Sequence, residues 1–388
     1  MIQPTTHRPP SCPRRGCRLG LLLLCAAVLT GCVSAESWEA ARLLADIDAG
    51  AVPSALKETT PEPRRRSLAY NVEGRPGRAD LYAPRQPVGG ALVLVPGFTE
   101  LGRNDPRVVD LARSLARARF LVLVPEIPGS RQLRVRLEDK RDIADAVIHL
   151  RRDQPEAVRQ GLGVVAISYA VGLAILAASP AEPEAVPDFL VGLGGYFDTT
   201  AVVTFATTGR YRLPGASRWR RGEPLPAAKW IFLSGTAAVL EDPSDRRQLE
   251  ALSERCLRGC DLPAEGSDLM KDLGPEGRSL LALIVNEDPD SVPRLLAALP
   301  AAVTARLAAL SPGRLDLAHL AGRLILIHGR LDPLIPYSES LALARAVPDS
   351  EVFLIDGFSH ITPRGVDWAG QLQLIDAIQA VLRRRAPQ

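Results

Sequence analysis

From residue 91 the chain alternates short, uninterrupted apolar runs with longer segments of helical spacing. The runs are "ALVLV" (91–95), "FLVLVP" (120–125), "GLGVVAI" (161–167) and "DFLVGLGGY" (188–196). A strand with one wet face alternates polar and apolar residues, so an unbroken apolar run implies a strand buried on both faces, as in a parallel sheet. The segments between carry helix signals. Asp105-Pro106 opens "DPRVVDLARSLARAR" with a capping residue and a proline at the first helical position. Strand–helix alternation of this kind predicts a mostly parallel sheet with right-handed crossovers and helices on both faces. Upstream, "SLAYNVEGRPGRADLYAP" reads as a hairpin around a Gly/Pro turn, and residues 36–48 have helical spacing.

The alternation stops near residue 200 and resumes at "GRLILIHG" (322–329) and "SEVFLID" (350–356), followed by a last helix in "VDWAGQLQLIDAIQAVLRRR". Between lie helical stretches such as "SDRRQLEALSERCL" and "SVPRLLAALPAAVTARLAAL", broken by Pro and Gly. An insertion of this length is expected to cover something. It holds a basic cluster, Arg218, Arg220 and Arg221 around Trp219, which reads either as a solvated loop or as a contact for anionic headgroups or an anionic substrate.

The amino terminus reads as a targeting segment. Arg14, Arg15 and Arg18 precede "LGLLLLCAAVL", a run too short for a stable anchor and suited to a signal-peptide core. It ends in Leu29-Thr30-Gly31-Cys32, which resembles the bacterial lipobox and implies a lipid on the Cys32 thiol. No aspartate follows Cys32, which favours the periplasmic face of the outer membrane over inner-membrane retention. Processing there leaves Cys256 and Cys260, whose spacing permits a local disulfide or free thiols in an oxidising compartment. Two cysteines without nearby histidines do not make a four-ligand metal site. The net charge of +3 gives no reason to expect a nucleic-acid partner.

The expected layout is thus a signal peptide (1–31), an N-terminal helix and linker (32–65), a first core segment (66–200), a helical lid or cap (201–315) and a second core segment (316–388).

In an open α/β sheet, reacting groups collect at the carboxyl ends of the strands. Ser168 directly follows "GVVAI" and precedes a helix, so it is either a nucleophile on a sharp turn or a helix N-cap. Asp332, in "HGRLDPLIP", is a turn aspartate before proline or the acid that orients a base. His360, in "DGFSHITPRG", occupies a third such loop; the remaining histidines are His7, His149, His319 and His328. The order Ser, Asp, His, each after a separate strand, is that of nucleophile-elbow enzymes.

On these residues the chain resembles the α/β-hydrolase superfamily over roughly residues 66–200 and 316–388. "LVPGF" is similar to the loop that supplies one oxyanion-hole amide, "VPEIPG" to the next strand and turn, and "HGRLDPLIP" and "GFSH" to the acid and base loops. The departures are Ala166, Ala170 and Val171, where many members have glycine, and Pro96, where many have histidine. The resemblance implies an α/β-hydrolase fold with a helical lid and a Ser168–His360–Asp332 triad. It further implies an oxyanion hole from the Phe98 and Tyr169 amides, no cofactor or metal, and a small ester or acyl substrate. A carboxylic ester hydrolase is the leading expectation. An acyltransferase or peptidase shares every residue named, and a non-catalytic envelope lipoprotein using the fold as a binding module is the contrasting class.

Overall fold

The computed structural model describes residues 34–259, 271–360, 362–363 and 367–385. Helix α1 (Ala35–Ala49) leads into the antiparallel pair β1 (Arg64–Val72) and β2 (Arg75–Ala83). Then come β3 (Gly90–Val95), α2 (Pro106–Arg117), β4 (Phe120–Pro125), α3 (Asp139–Asp153), β5 (Leu162–Ile167), α4 (Ala170–Ala177) and β6 (Phe189–Leu193). After the inserted segment the sheet resumes with β9 (Leu324–Gly329), α11 (Ser338–Ala346), β10 (Glu351–Ile355) and α12 (Trp368–Leu382). The strand order is β1-β2-β4-β3-β5-β6-β9-β10. The β1–β2 and β2–β4 pairings are antiparallel, so β2 alone runs against the other strands, and every other pairing in this sheet is parallel. This mostly parallel, helix-flanked sheet is the α/β-hydrolase fold class expected from the sequence.

The unbroken apolar runs are buried on both sides, and their alternate residues feed two cores. Ala91, Val93 and Val95 of β3 face the core beneath α3, α4 and α11. Leu92 and Leu94 face the one beneath α1, α2 and α12. Asp105 caps α2 as expected, its carboxylate accepting from Arg107 N, with Pro106 opening the helix.

The first turn of α1 lies at the amino-terminal edge of the sheet. Gln379 Nε2, near the end of α12, donates to Ser37 Oγ at 2.6 Å. Arg385 pairs with Glu39 at 2.7 Å and also donates to Ala118 O, just before β4 begins.

The inserted segment contains α5 (Thr199–Thr208) and a two-residue ribbon of β7 (Arg210–Tyr211) and β8 (Arg220–Arg221). Helices α6 (Ala227–Ala237), α7 (Pro243–Leu257), α8 (Pro275–Ile284), α9 (Val292–Ala297) and α10 (Ala301–Ala309) follow. The stretch "SVPRLLAALPAAVTARLAAL" is two helices rather than one because Pro300 interrupts it. The segment has its own apolar core, built around Leu233, Leu249, Leu280 and Val303. The Trp219 loop is tied down within it: Arg212 stacks 3.6 Å from the indole centroid, and Trp219 Nε1 donates to Asp290 at 3.0 Å. Cys256 is disulfide-bonded. Its expected partner Cys260 lies outside the described residues, as does Cys32. No helix among the described residues is long and apolar enough to cross a membrane.

Candidate active site

Ser168 sits between the last residue of β5 and the start of α4 with φ +60°, a conformation that L side chains adopt at a cost. The turn is held by Ser168 N donating to Leu193 O at 2.7 Å and by Val171 N donating back to Ser168 O at 3.0 Å. The side chain does not cap α4. Its Oγ lies 2.8 Å from His360 Nε2.

The alanines at the elbow are fully buried. The room that a glycine at position 171 would provide is supplied from the neighbouring strand. A Cβ on Gly192 would lie 2.8 Å, and one on Gly195 2.4 Å, from Val171 Cγ1. The missing side chains have moved from the elbow to β6 and the turn after it.

His360 Nδ1 lies 2.7 Å from Asp332 Oδ2, completing a continuous relay from serine to carboxylate. Asp332 fulfils both readings of its sequence. Its Oδ1 accepts from the amides of Leu334 (2.8 Å) and Ile335 (3.0 Å), shaping the turn, while Oδ2 faces the imidazole. Burial works to raise its pKa, but hydrogen bonds from His328 and His360 outweigh it and hold the carboxyl well below the usual carboxylate range.

Sequence reasoning did not assign a role to His328. This fully buried side chain places Nε2 2.9 Å from Ile335 O and 3.3 Å from Asp332 Oδ2, while Nδ1 lies 2.7 Å from Ser340 Oγ. Its neighbour Gly329 is required for a separate reason: a Cβ there would come within 1.9 Å of Phe358 O, blocking the loop that delivers His360. The signal in the sequence was the pair His328-Gly329 ending an apolar strand three residues before Asp332. The other described histidines serve elsewhere. His149 stacks on Tyr70 at 4.4 Å, and His319 Nε2 lies 2.7 Å from Ala178 O.

Phe98 and Tyr169 flank the serine. Their rings stack at 4.0 Å, and a Cβ on the adjoining Gly97 would lie 3.4 Å from Ser168 Cβ. Neither backbone amide donates to a protein group among the described residues, so both remain available to an incoming oxygen. The Tyr169 amide stands at the start of α4, where the helix dipole adds positive potential.

Ser168, Phe98 and Tyr169 open into a cavity of about 160 Å³, whose other walls come from α5, α6, α10 and the loop after Asp332. Most of the lining is apolar, including Val202, Ile231, Phe232 and Leu307. Behind the Tyr169 ring, Asp139 is buried, with Oδ1 accepting from Gly129 N at 3.3 Å and Oδ2 unpartnered; burial pushes its pKa up to about 7. No group of His, Cys, Asp and Glu among the described residues is arranged to hold a metal.

The sequence matches no family model and no curated protein. Solved structures similar to this one include an acylaminoacyl peptidase in complex with Z-Gly-Gly-Phe-chloromethyl ketone, at 12% identity and TM-score 0.46, covering 84% of this chain and 42% of that one. This chain therefore spans less than half of the peptidase's length. An arylesterase is similar at 13% identity and TM-score 0.46, with 88% of this chain and 89% of that chain covered. A hyperthermophilic esterase from the archaeon Pyrobaculum calidifontis is similar at 15% identity and TM-score 0.45, covering 96% and 98%. At this level the likenesses say nothing of the chemistry, which rests on the residues above.

Proposed function

We propose that the chain is a serine hydrolase acting on carboxylic esters. The observation that carries this is the Ser168 Oγ–His360 Nε2–Asp332 Oδ2 relay, at 2.8 and 2.7 Å, on a positive-φ elbow beside two free amides. His360 takes the hydroxyl proton as Ser168 Oγ bonds to the carbonyl carbon. Asp332 holds the imidazole tautomer and stabilises its positive charge. The Phe98 and Tyr169 amides receive the developing oxyanion, each worth about 3 kcal/mol in the transition state. As the tetrahedral species collapses, the carbon–oxygen bond to the alcohol breaks, and His360 passes its proton to that leaving oxygen. Water, deprotonated by His360, then attacks the acyl-serine; the Oγ–carbon bond breaks and Oγ regains the proton, releasing the acid. An acyltransferase differs only in the second nucleophile, and a peptidase only in the leaving group. The complete relay weighs against a non-catalytic scaffold.

The test is labelling with a fluorophosphonate probe and peptide mapping, followed by a panel of aryl esters. The reading requires an adduct on Ser168 that is lost in His360→Ala. A folded protein that neither labels nor hydrolyses any ester would exclude it.

The cap helices are proposed to select the substrate, since α5, α6 and α10 wall the cavity. The proposed location is the periplasmic face of the outer membrane, with a lipid on Cys32. It rests on the arginine–apolar–Leu29-Thr30-Gly31-Cys32 order alone. Labelling of cells with an alkyne fatty acid, abolished by Cys32→Ser, checks it.

A further inference from the structure

The walls of the cavity differ sharply in character from one residue within them. Arg306, on α10, is the only charged side chain among the described lining residues. The other polar groups around it are mostly satisfied internally. Tyr196 Oη donates to Leu310 O at 3.0 Å, Thr199 Oγ1 to Leu307 O at 2.9 Å, and Thr236 Oγ1 to Phe232 O at 2.7 Å. Burial raises the pKa of both lining tyrosines, so they stay neutral. Tyr169 Oη is buried without a partner, and Arg306 is the charged exception. Its Nη2 donates to Val135 O at 2.7 Å, which engages one of a guanidinium's five N–H donors. No carboxylate pairs with it among the described residues. The arginines that flank Val135 in sequence do have acidic partners: Arg134 reaches Glu250 at 3.4 Å, and Arg136 lies 3.8 Å from Asp139.

Arg306 is half-buried at the cavity wall, and its remaining N–H donors meet no carboxylate there, so they are open to an anion that enters the cavity. The planar fork matches a carboxylate bidentately. The cavity's volume, about 160 Å³, is close to that of an apolar protein cavity that accepts a benzene-sized group, roughly six heavy atoms. We propose that the substrate is an ester whose acyl part is compact and apolar and ends in a carboxylate, seated so that this carboxylate pairs with Arg306. The acyl donor is then a half-ester of a short dicarboxylic acid. This rests on the hydrolase reading above and specifies its substrate class.

The test compares kcat/KM for mono-4-nitrophenyl esters of dicarboxylic acids, from succinate to suberate, with uncharged 4-nitrophenyl esters of equal chain length. At the best length the charged ester should be preferred by about tenfold or more, the worth of a charge-assisted hydrogen-bonded pair. Arg306→Gln, which keeps a donor for Val135 O, should lower kcat/KM for the charged ester by about 10- to 100-fold and leave the uncharged one within roughly threefold. Arg306→Lys should recover part of the preference. Preference for the uncharged ester at every length, or an equal loss on both esters in Arg306→Gln, would overturn the assignment while leaving the hydrolase intact. If no ester is cleaved and Ser168 does not take the fluorophosphonate probe, the hydrolase reading fails, and calorimetric titration of Ser168→Ala with free adipate decides the rest. Binding that disappears when Arg306→Gln is added upholds the anion site, and absence of binding overturns it.

Discussion

His328 and His360 converge on one oxygen: both imidazoles point a nitrogen at Asp332 Oδ2, from 3.3 Å and 2.7 Å respectively. With Oδ1 fixed by two backbone amides, the carboxylate has no freedom to rotate away from the base. His328→Leu removes one of these restraints, and the orientation of His360 should loosen. A misplacement of this kind costs about 100-fold at most, so kcat should fall roughly 10- to 100-fold while KM changes little. His328→Gln, which retains a donor near Nε2, should recover much of the loss. Steady-state kinetics on the two variants check this; equal losses in both would assign His328 to packing alone.

Ser168 holds a left-handed backbone that a glycine adopts freely. Ser168→Gly should therefore stabilise the fold by about 1 kcal/mol, and Ser168→Ala should not. Both should lower turnover by a factor on the order of 10⁶. Thermal unfolding beside ester hydrolysis reads both effects at once. The elbow is a place where stability has been given up to present a hydroxyl to His360 and the cavity.

The crowding of Val171 against β6 predicts a compensating pair. Gly195→Ala places a methyl 2.4 Å from Val171 Cγ1 and should destabilise by about 1–3 kcal/mol. Val171→Ala frees that space, so the double variant should regain a large part of the loss. A double-mutant cycle by urea unfolding measures the coupling, and additive effects would mean that the backbone has shifted instead.

Two buried carboxyls set an unusual pH response. Burial pushes Asp139 and Glu339 each up to about 7; Glu339 also accepts from the Phe197 and Asp198 amides, at 3.0 and 2.8 Å. A carboxyl whose pKa is higher folded than unfolded favours the fold while protonated. Its contribution is complete below its unfolded value, near 4, and is lost as pH rises to about 7. Urea midpoints should fall between pH 5 and pH 8. Asp139→Asn and Glu339→Gln should each flatten that slope, and an unchanged slope in both would assign the response to other groups.

The sheet, and the meeting of Ser168, His360 and Asp332 at its carboxyl edge, were legible because each rests on a local signal. An apolar run marks a doubly buried strand, and a polar residue directly after it falls on the carboxyl edge. Ser168, Asp332 and His360 each carry that signal. His328 and Arg306 do not, because their roles depend on what another segment brings beside them: Ser340 and Ile335 for the one, an apolar cavity wall for the other. The departure at Val171 could not be weighed from the sequence, since Gly192 and Gly195, which make room for it, lie more than twenty positions downstream and meet it only in space. The arrangement of the inserted helices was equally hidden. Helical periodicity shows an apolar face without naming its partner.

The placement of α1 sets which end of the sheet an amino-terminal tether would hold. Its first turn lies where the parallel strands begin, and Ser168 lies where they end, a strand length of about 20 Å away. Any tether attached ahead of Ala35 therefore holds the molecule by its base, with the cavity directed away from the surface that anchors it. If the proposed lipid on Cys32 is such a tether, substrate would arrive from the surrounding fluid rather than by lateral diffusion out of the anchoring layer, which accords with a water-soluble, negatively charged ester more than with a membrane lipid.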